Sequence, residues 1–147
     1  MLMKLYIASD HAGFEQKEQL FEWLKNIGYD IENLGPDSDD RVDYPDFAEK
    51  VCRQVSDNAE SFGILVCGTG IGMQIAANKI DGIRAANIVL PDFSKLSREH
   101  NNANVITLSG RFVDLDTNKQ ILDVFLNTDF AGGRHEMRVK KIMELEK

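Results

Sequence analysis

The stretch Gly63-Ile64-Leu65-Val66-Cys67-Gly68-Thr69-Gly70-Ile71-Gly72 decides the architecture. Its first half is a short apolar run of strand length. Its second half is a glycine loop that passes into a helix beginning near Ile71. A strand-to-helix turn of this kind gathers several backbone N–H groups at one point, and the helix start adds positive potential there. Cys67 ends the strand at that point, so its thiol stands where negative charge is favoured.

Working outward, the same alternation repeats. Leu5–Ala8 is an apolar run of strand length, and Phe14, Leu20, Phe21, Leu24 and Ile27 form the stripe of an amphipathic helix closed by Gly28. Tyr29–Leu34 reads as a second strand, Gly35-Pro36-Asp37 as a turn and Ser38–Asp43 as a polar, acidic loop. Pro45 suits a helix start, with Phe47, Val51 and Val55 repeating every four residues behind it. After the opening stretch, whose helix runs to about Lys79, Ile83–Leu90 reads as a fourth strand and Asp92–Glu99 as a short helix. Val105–Leu108 reads as a fifth strand, and Ile121, Leu122, Phe125 and Leu126 mark a further helix. Strands and helices alternating without hairpin signals imply an α/β fold: a five-stranded parallel sheet with helices on both faces. The helix from Arg134 onward is appended to that unit, with Val139, Ile142 and Met143 as its apolar side.

The chain has 147 residues, 43% of them apolar and 28% charged, which fits one soluble globular domain over residues 1–147. A net charge of −7 gives no basic surplus for nucleic acid, yet permits a small anion held by a local cluster. The two cysteines, Cys52 and Cys67, have neither C-x-x-C nor metal spacing, and Met1–Ser9 is too short an apolar run for a signal peptide or a membrane span. The expectation is a cytoplasmic protein with no metal, no cofactor and no membrane partner.

Ligands of such sheets bind beyond the carboxyl ends of the strands, where strand order reverses. The residues expected there are Asp10-His11, Cys67–Thr69 and Ser109–Arg111. The loop Gly68–Gly72 is neither a dinucleotide fingerprint, since Met73 replaces the last glycine, nor a Walker loop, since no Gly-Lys-Ser/Thr closes it. It is an anion nest for a phosphate or a reaction oxyanion, although a ligand-free tight turn fits the pattern equally well. A strand cysteine is most often inert packing, and the position of Cys67 argues instead for a base or nucleophile, whereas Cys52 is packing. His11, His100 and His135 all lie at loops or helix ends among polar residues, as acid–base or anion-binding groups do. Arg134 and Arg138 share a helical face and could grip one phosphate, or form a solvated basic face. Asp10 is either an N-cap of the first helix or a contact for substrate hydroxyls.

Taken together, Ser9–Phe14, Asp43-Tyr44-Pro45, Cys67–Gly72 with Ala76–Lys79, Arg98–Asn101, and Gly132–His135 with Arg138 resemble the ribose-5-phosphate isomerase type B family, which includes galactose-6-phosphate isomerase subunits. The resemblance covers nearly the whole chain. It implies a Rossmann-like sheet, a homodimer or dimer of dimers with the site at the interface, and metal-free interconversion of aldose and ketose phosphates. It implies Cys67 as the base that moves a proton between neighbouring carbons, His100 as the ring-opening group, and Gly68, Gly70, Ile71 and Gly72 as the oxyanion loop. Thr69 is positioned to pass protons between oxygens. Asp10, His11, Tyr44, Asn101, Arg111, Arg134 and Arg138 match the family's substrate contacts, mostly for phosphate; His135 receives no role. The chain departs from the family at Phe93-Ser94, where Ser-Ala is common, and at Ser109, where glycine is frequent. The implied reaction is ribose 5-phosphate to ribulose 5-phosphate; the alternatives are the same chemistry on allose or galactose 6-phosphate, and a non-catalytic phosphate-binding module.

Overall fold

The computed structural model describes residues 3–146; Met1 and Leu2 of the N-terminal run, and Lys147, lie outside them. Five strands, β1 (Lys4–Ser9), β2 (Asp30–Asn33), β3 (Ser61–Cys67), β4 (Ala85–Asn87) and β5 (Val105–Ser109), form one parallel sheet in the order β2-β1-β3-β5-β4. Six helices connect and follow them: α1 (Phe14–Asn26), α2 (Tyr44–Asp57), α3 (Ile71–Ala77), α4 (Pro91–Glu99), α5 (Leu115–Leu126) and α6 (Arg134–Met143). The order reverses between β1 and β3, so the carboxyl ends of those strands flank the switch point.

Side-chain alternation along the central strand builds two cores. Ile64 and Val66 of β3 face Leu20 and Leu24 of α1 and Ile121, Leu122 and Phe125 of α5. Leu65 and Cys67 face the other way, onto Val51, Cys52 and Val55 of α2 and Met73 and Ala77 of α3. Every residue of β3 is buried, as its near-continuous apolar run requires of a strand covered on both faces.

Two elements differ from the sequence reading. β4 pairs with β5 only over Ala85–Asn87, not from Ile83 to Leu90, and α3 ends at Ala77 rather than near Lys79. β4 is an edge strand: Arg84 N–H is already taken by Asn104 Oδ1 at 2.8 Å, and Leu90 turns out to precede Pro91, the first residue of α4. Val89 and Leu90 are accordingly exposed. Helix α6 begins at Arg134, as the sequence suggests, and buries only Val139 among its ten residues.

Candidate active site

The carboxyl ends of β1 and β3, the start of α2 and the loop after β5 enclose a cleft of about 520 Å³. Asp10, His11, Tyr44, Cys67, Thr69 and Arg111 line it, together with Gly68, Ile71 and Gly72. Each arrives there for a local reason. Asp10 is buried, and its carboxylate accepts the Gly13 N–H at 2.9 Å. That bond ties the β1–α1 turn, and Gly13, not Asp10, is the residue at the N-cap. Tyr44 opens α2, and its ring packs on the loop: a Cβ on Gly72 would come within 2.7 Å of it.

The glycine loop is held from several sides. Gly70 has φ +86, and a Cβ there would collide with Asn87 Oδ1 and press on the Leu108 carbonyl at 3.1 Å, so only glycine fits. Gly110 N–H donates to the Cys67 carbonyl at 2.8 Å, and Arg111 N–H to Gly68 O at 3.1 Å. Ser109, the departure from glycine, donates its hydroxyl to Gly68 O at 2.7 Å and accepts Phe112 N–H at 3.0 Å, which adds a tie between the two loops.

Within the loop, Gly70 N–H points at Cys67 Sγ, 3.1 Å away, and Ile71 N–H at Thr69 Oγ1, also 3.1 Å. Gly70 and Ile71 therefore do not present free donors to the cleft. Among the described residues Gly68, Thr69 and Gly72 N–H have no hydrogen-bond acceptor. Because α3 has only seven residues, the nearest fixed donor to the sulfur is the Gly70 N–H rather than a long helix dipole. Cys67 is nearly buried and lines the cleft. Cys52 lies deeper in the same core, where burial pushes its thiol up to about 12; Arg53 opposes this weakly.

The sequence reading missed the far wall. Arg41, Val42 and Asp43 line an adjoining cleft that shares Asp10, His11 and Tyr44. Val42 N–H donates to His11 Nδ1 at 3.4 Å, which ties the ring to that wall. The available signal was Arg41, one cation in an acidic loop.

Four other candidates do not reach this cleft within the chain. His100, at the C-cap of α4, stacks on His135 with ring centroids 4.2 Å apart and planes 16° off parallel. Ala131 N–H donates to Glu99 O at 3.1 Å and ties the segment before α6 to the end of α4, and Arg134 and Arg138 of α6 lie close to His135. Asn101 lines a different cleft, between α3 and α6, beside Gln74 and Asn78. The imidazole of His135 is held below its ordinary value by partial burial and by the nearby His100, Arg134 and Arg138, against a weaker pull from Glu99. Among the described residues no group of three His, Cys, Asp or Glu side chains could hold a metal ion, and no helix is long and apolar enough to cross a membrane.

Comparison with known proteins bears directly on this arrangement. The family model described as Ribose/Galactose Isomerase matches residues 5–142. A probable ribose-5-phosphate isomerase B of Mycoplasma genitalium is 45% identical over all of this chain and 98% of its own length. A ribose 5-phosphate isomerase from Thermotoga maritima superposes with a TM-score of 0.94 at 50% identity, covering 97% of this chain and 98% of that one. The crystal structure of the Mycoplasma genitalium ribose-5-phosphate isomerase B with bound ribulose-5-phosphate superposes with a TM-score of 0.94 at 45% identity, covering 97% and 95% of the two chains.

Proposed function

This chain belongs to the ribose/galactose isomerase family, and we propose that it is an aldose–ketose isomerase interconverting ribose 5-phosphate and ribulose 5-phosphate through an enediolate. The observation that carries the reading is Cys67 Sγ, faced by the Gly70 N–H at the mouth of a cleft lined by Asp10, His11, Thr69 and Arg111. In this reading the Cys67 thiolate takes the proton from C2 of the open-chain aldose. Negative charge moves to O1, where the Gly68, Thr69 and Gly72 N–H groups meet it without reorganising. Thr69 passes a proton between O1 and O2, and the Cys67 thiol returns its proton to C1, leaving the ketose with no net change in protons or electrons. His100 opens the furanose by moving the anomeric hydroxyl proton to the ring oxygen. Asp10 and Asn101 hold hydroxyls, and His11, Arg111, Arg134 and Arg138 hold the phosphate, which keeps the sugar aligned against the sulfur.

The domain is a single sugar-phosphate isomerase unit over 1–147, working in the cytoplasm as a homodimer or dimer of dimers. His100, Asn101, Arg134 and Arg138 stand apart from the Cys67 of their own chain, so a second copy would supply them. Helix α6 supports this: Met137 and Ile142 on it are about half exposed, as are Ile71 and Ile75 beside the cleft, and such surface is suited to a partner. Specificity constants for ribose 5-phosphate against allose and galactose 6-phosphates, measured on one preparation, test the substrate. Preference for a hexose phosphate would move the enzyme to the other branch of its family. Turnover of none of the three would leave a phosphate-binding module.

A further inference from the structure

We propose a second anion site at the opposite end of the sheet, built on Arg84 and Arg98 and sized for inorganic phosphate. The amino ends of β1, β3 and β5 border a cavity of about 280 Å³ that shares no residue with the catalytic cleft. Ser56, Asn58, Ser61 and Asn104 line it beside the two arginines. Its volume is at the low end for ligand pockets, which favours a compact anion over a nucleotide.

Both guanidinium groups are fastened to one residue. Asn102, in left-handed backbone at φ +49, accepts Arg98 Nη1 on its side-chain oxygen at 3.0 Å and Arg84 Nε on its carbonyl at 2.6 Å. Arg98 is 7% exposed and further fixed by the Thr128 carbonyl on Nε (3.0 Å), the Ala103 carbonyl on Nη1 (2.6 Å) and the rings of Phe62 and Phe125. Arg84 is half-buried, with Nη1 against Met143 Sδ. Among the described residues the Nη2 groups of both have no acceptor, and neither arginine has a carboxylate within ion-pair distance. The two preorganised cations line one polar cavity and repel each other there, with no carboxylate paired to either. Burial, and for Arg98 the charge of Arg84 as well, depresses both, against the more distant Glu146 and Asp129. A dianion accepting from the two Nη2 groups neutralises the pair with charge-assisted bonds. Arg98 and Asn102 bracket His100 and Asn101 in the chain, so the bound anion braces that turn from beneath.

The test uses the full chain and does not depend on isomerase activity. Crystals soaked in selenate are expected to give an anomalous selenium peak between Arg84 and Arg98. In solution, equilibrium dialysis against labelled inorganic phosphate is expected to show, beside any phosphate held in the catalytic cleft, one further bound phosphate per chain that is weakened at least about tenfold in Arg84→Gln and partly restored in Arg84→Lys. No selenium peak at that position overturns the proposal, and this arm needs no variant. A peak without any change of phosphate binding in folded Arg84→Gln also overturns it, because the site is then occupied only at soaking concentration.

Discussion

Cys52 and Cys67 lie in the same apolar layer between the sheet and helices α2 and α3. They differ in what the sulfur meets. Cys67 opens to the cleft and accepts the Gly70 N–H, whereas burial holds the Cys52 thiol up at about 12. Iodoacetamide at mild alkaline pH should therefore modify Cys67 alone in the folded protein, with Cys52 reacting only after denaturation; peptide mass mapping distinguishes the two. Gly70→Ala should destabilise the fold by about 1–3 kcal/mol from the backbone conformation alone and should abolish turnover, because the loop must move away from Asn87 and Leu108. His135 gives a pH signature. Its folded value lies below the ordinary 6.5, so the unfolded chain binds the proton more readily and stability rises with pH through that window. The native protein should lose stability as pH falls below 6.5, and His135→Gln should lose less, as read by thermal melts across that range.

At the scale of elements, the sequence pattern locates β3, β5 and the three long helices well because each carries an uninterrupted apolar run or stripe. It overextends β4, because apolar residues such as Val89 and Leu90 mark surface here and not pairing. It also passes over Lys17, a cation with no exposure at all. Its ammonium donates to Glu18 at 2.8 Å, Asn33 at 3.2 Å and the Pro36 carbonyl at 2.8 Å, and so joins α1 to the turn after β2. Nothing local distinguishes Lys17 from its neighbours in a helix rich in charge; its burial comes from the turn folded over it. Lys17→Met should cost about 2–3 kcal/mol in urea unfolding by leaving the Pro36 carbonyl without its donor and taking one donor each from Glu18 and from Asn33, which keeps the Gly35 N–H. Burial alone would raise the Glu18 carboxyl, but hydrogen bonds from Lys17 and Asn33 outweigh it and hold the group below its ordinary 4.5. Stability from that contact is present above 4.5 and is lost as pH falls through the folded value, so the difference between Lys17→Met and the native protein should narrow in acid.

For the whole molecule, the glycine loop, Asp10, His11, Tyr44 and Arg111 were legible because they end strands or begin helices that the topology brings to one switch point. The separation of His100, Asn101, Arg134 and Arg138 from Cys67 is not written in spacing, which does not record which side of the sheet a late helix covers; only the family resemblance, with its site at an interface, pointed to it. If the active site is shared between two copies, Cys67→Ala and His100→Ala subunits should complement each other: random mixing should restore about a quarter of native activity, one intact site in half of the dimers. Complementation absent from a mixed dimer would place His100 and Cys67 in the same subunit's site. Isomerisation in heavy water measures proton abstraction by Cys67 directly. Native protein should introduce deuterium from solvent at C2 of ribose 5-phosphate, and Cys67→Ala, folded by circular dichroism, should exchange about 10²–10⁴-fold more slowly. Exchange at the native rate in Cys67→Ala would exclude Cys67 as the base.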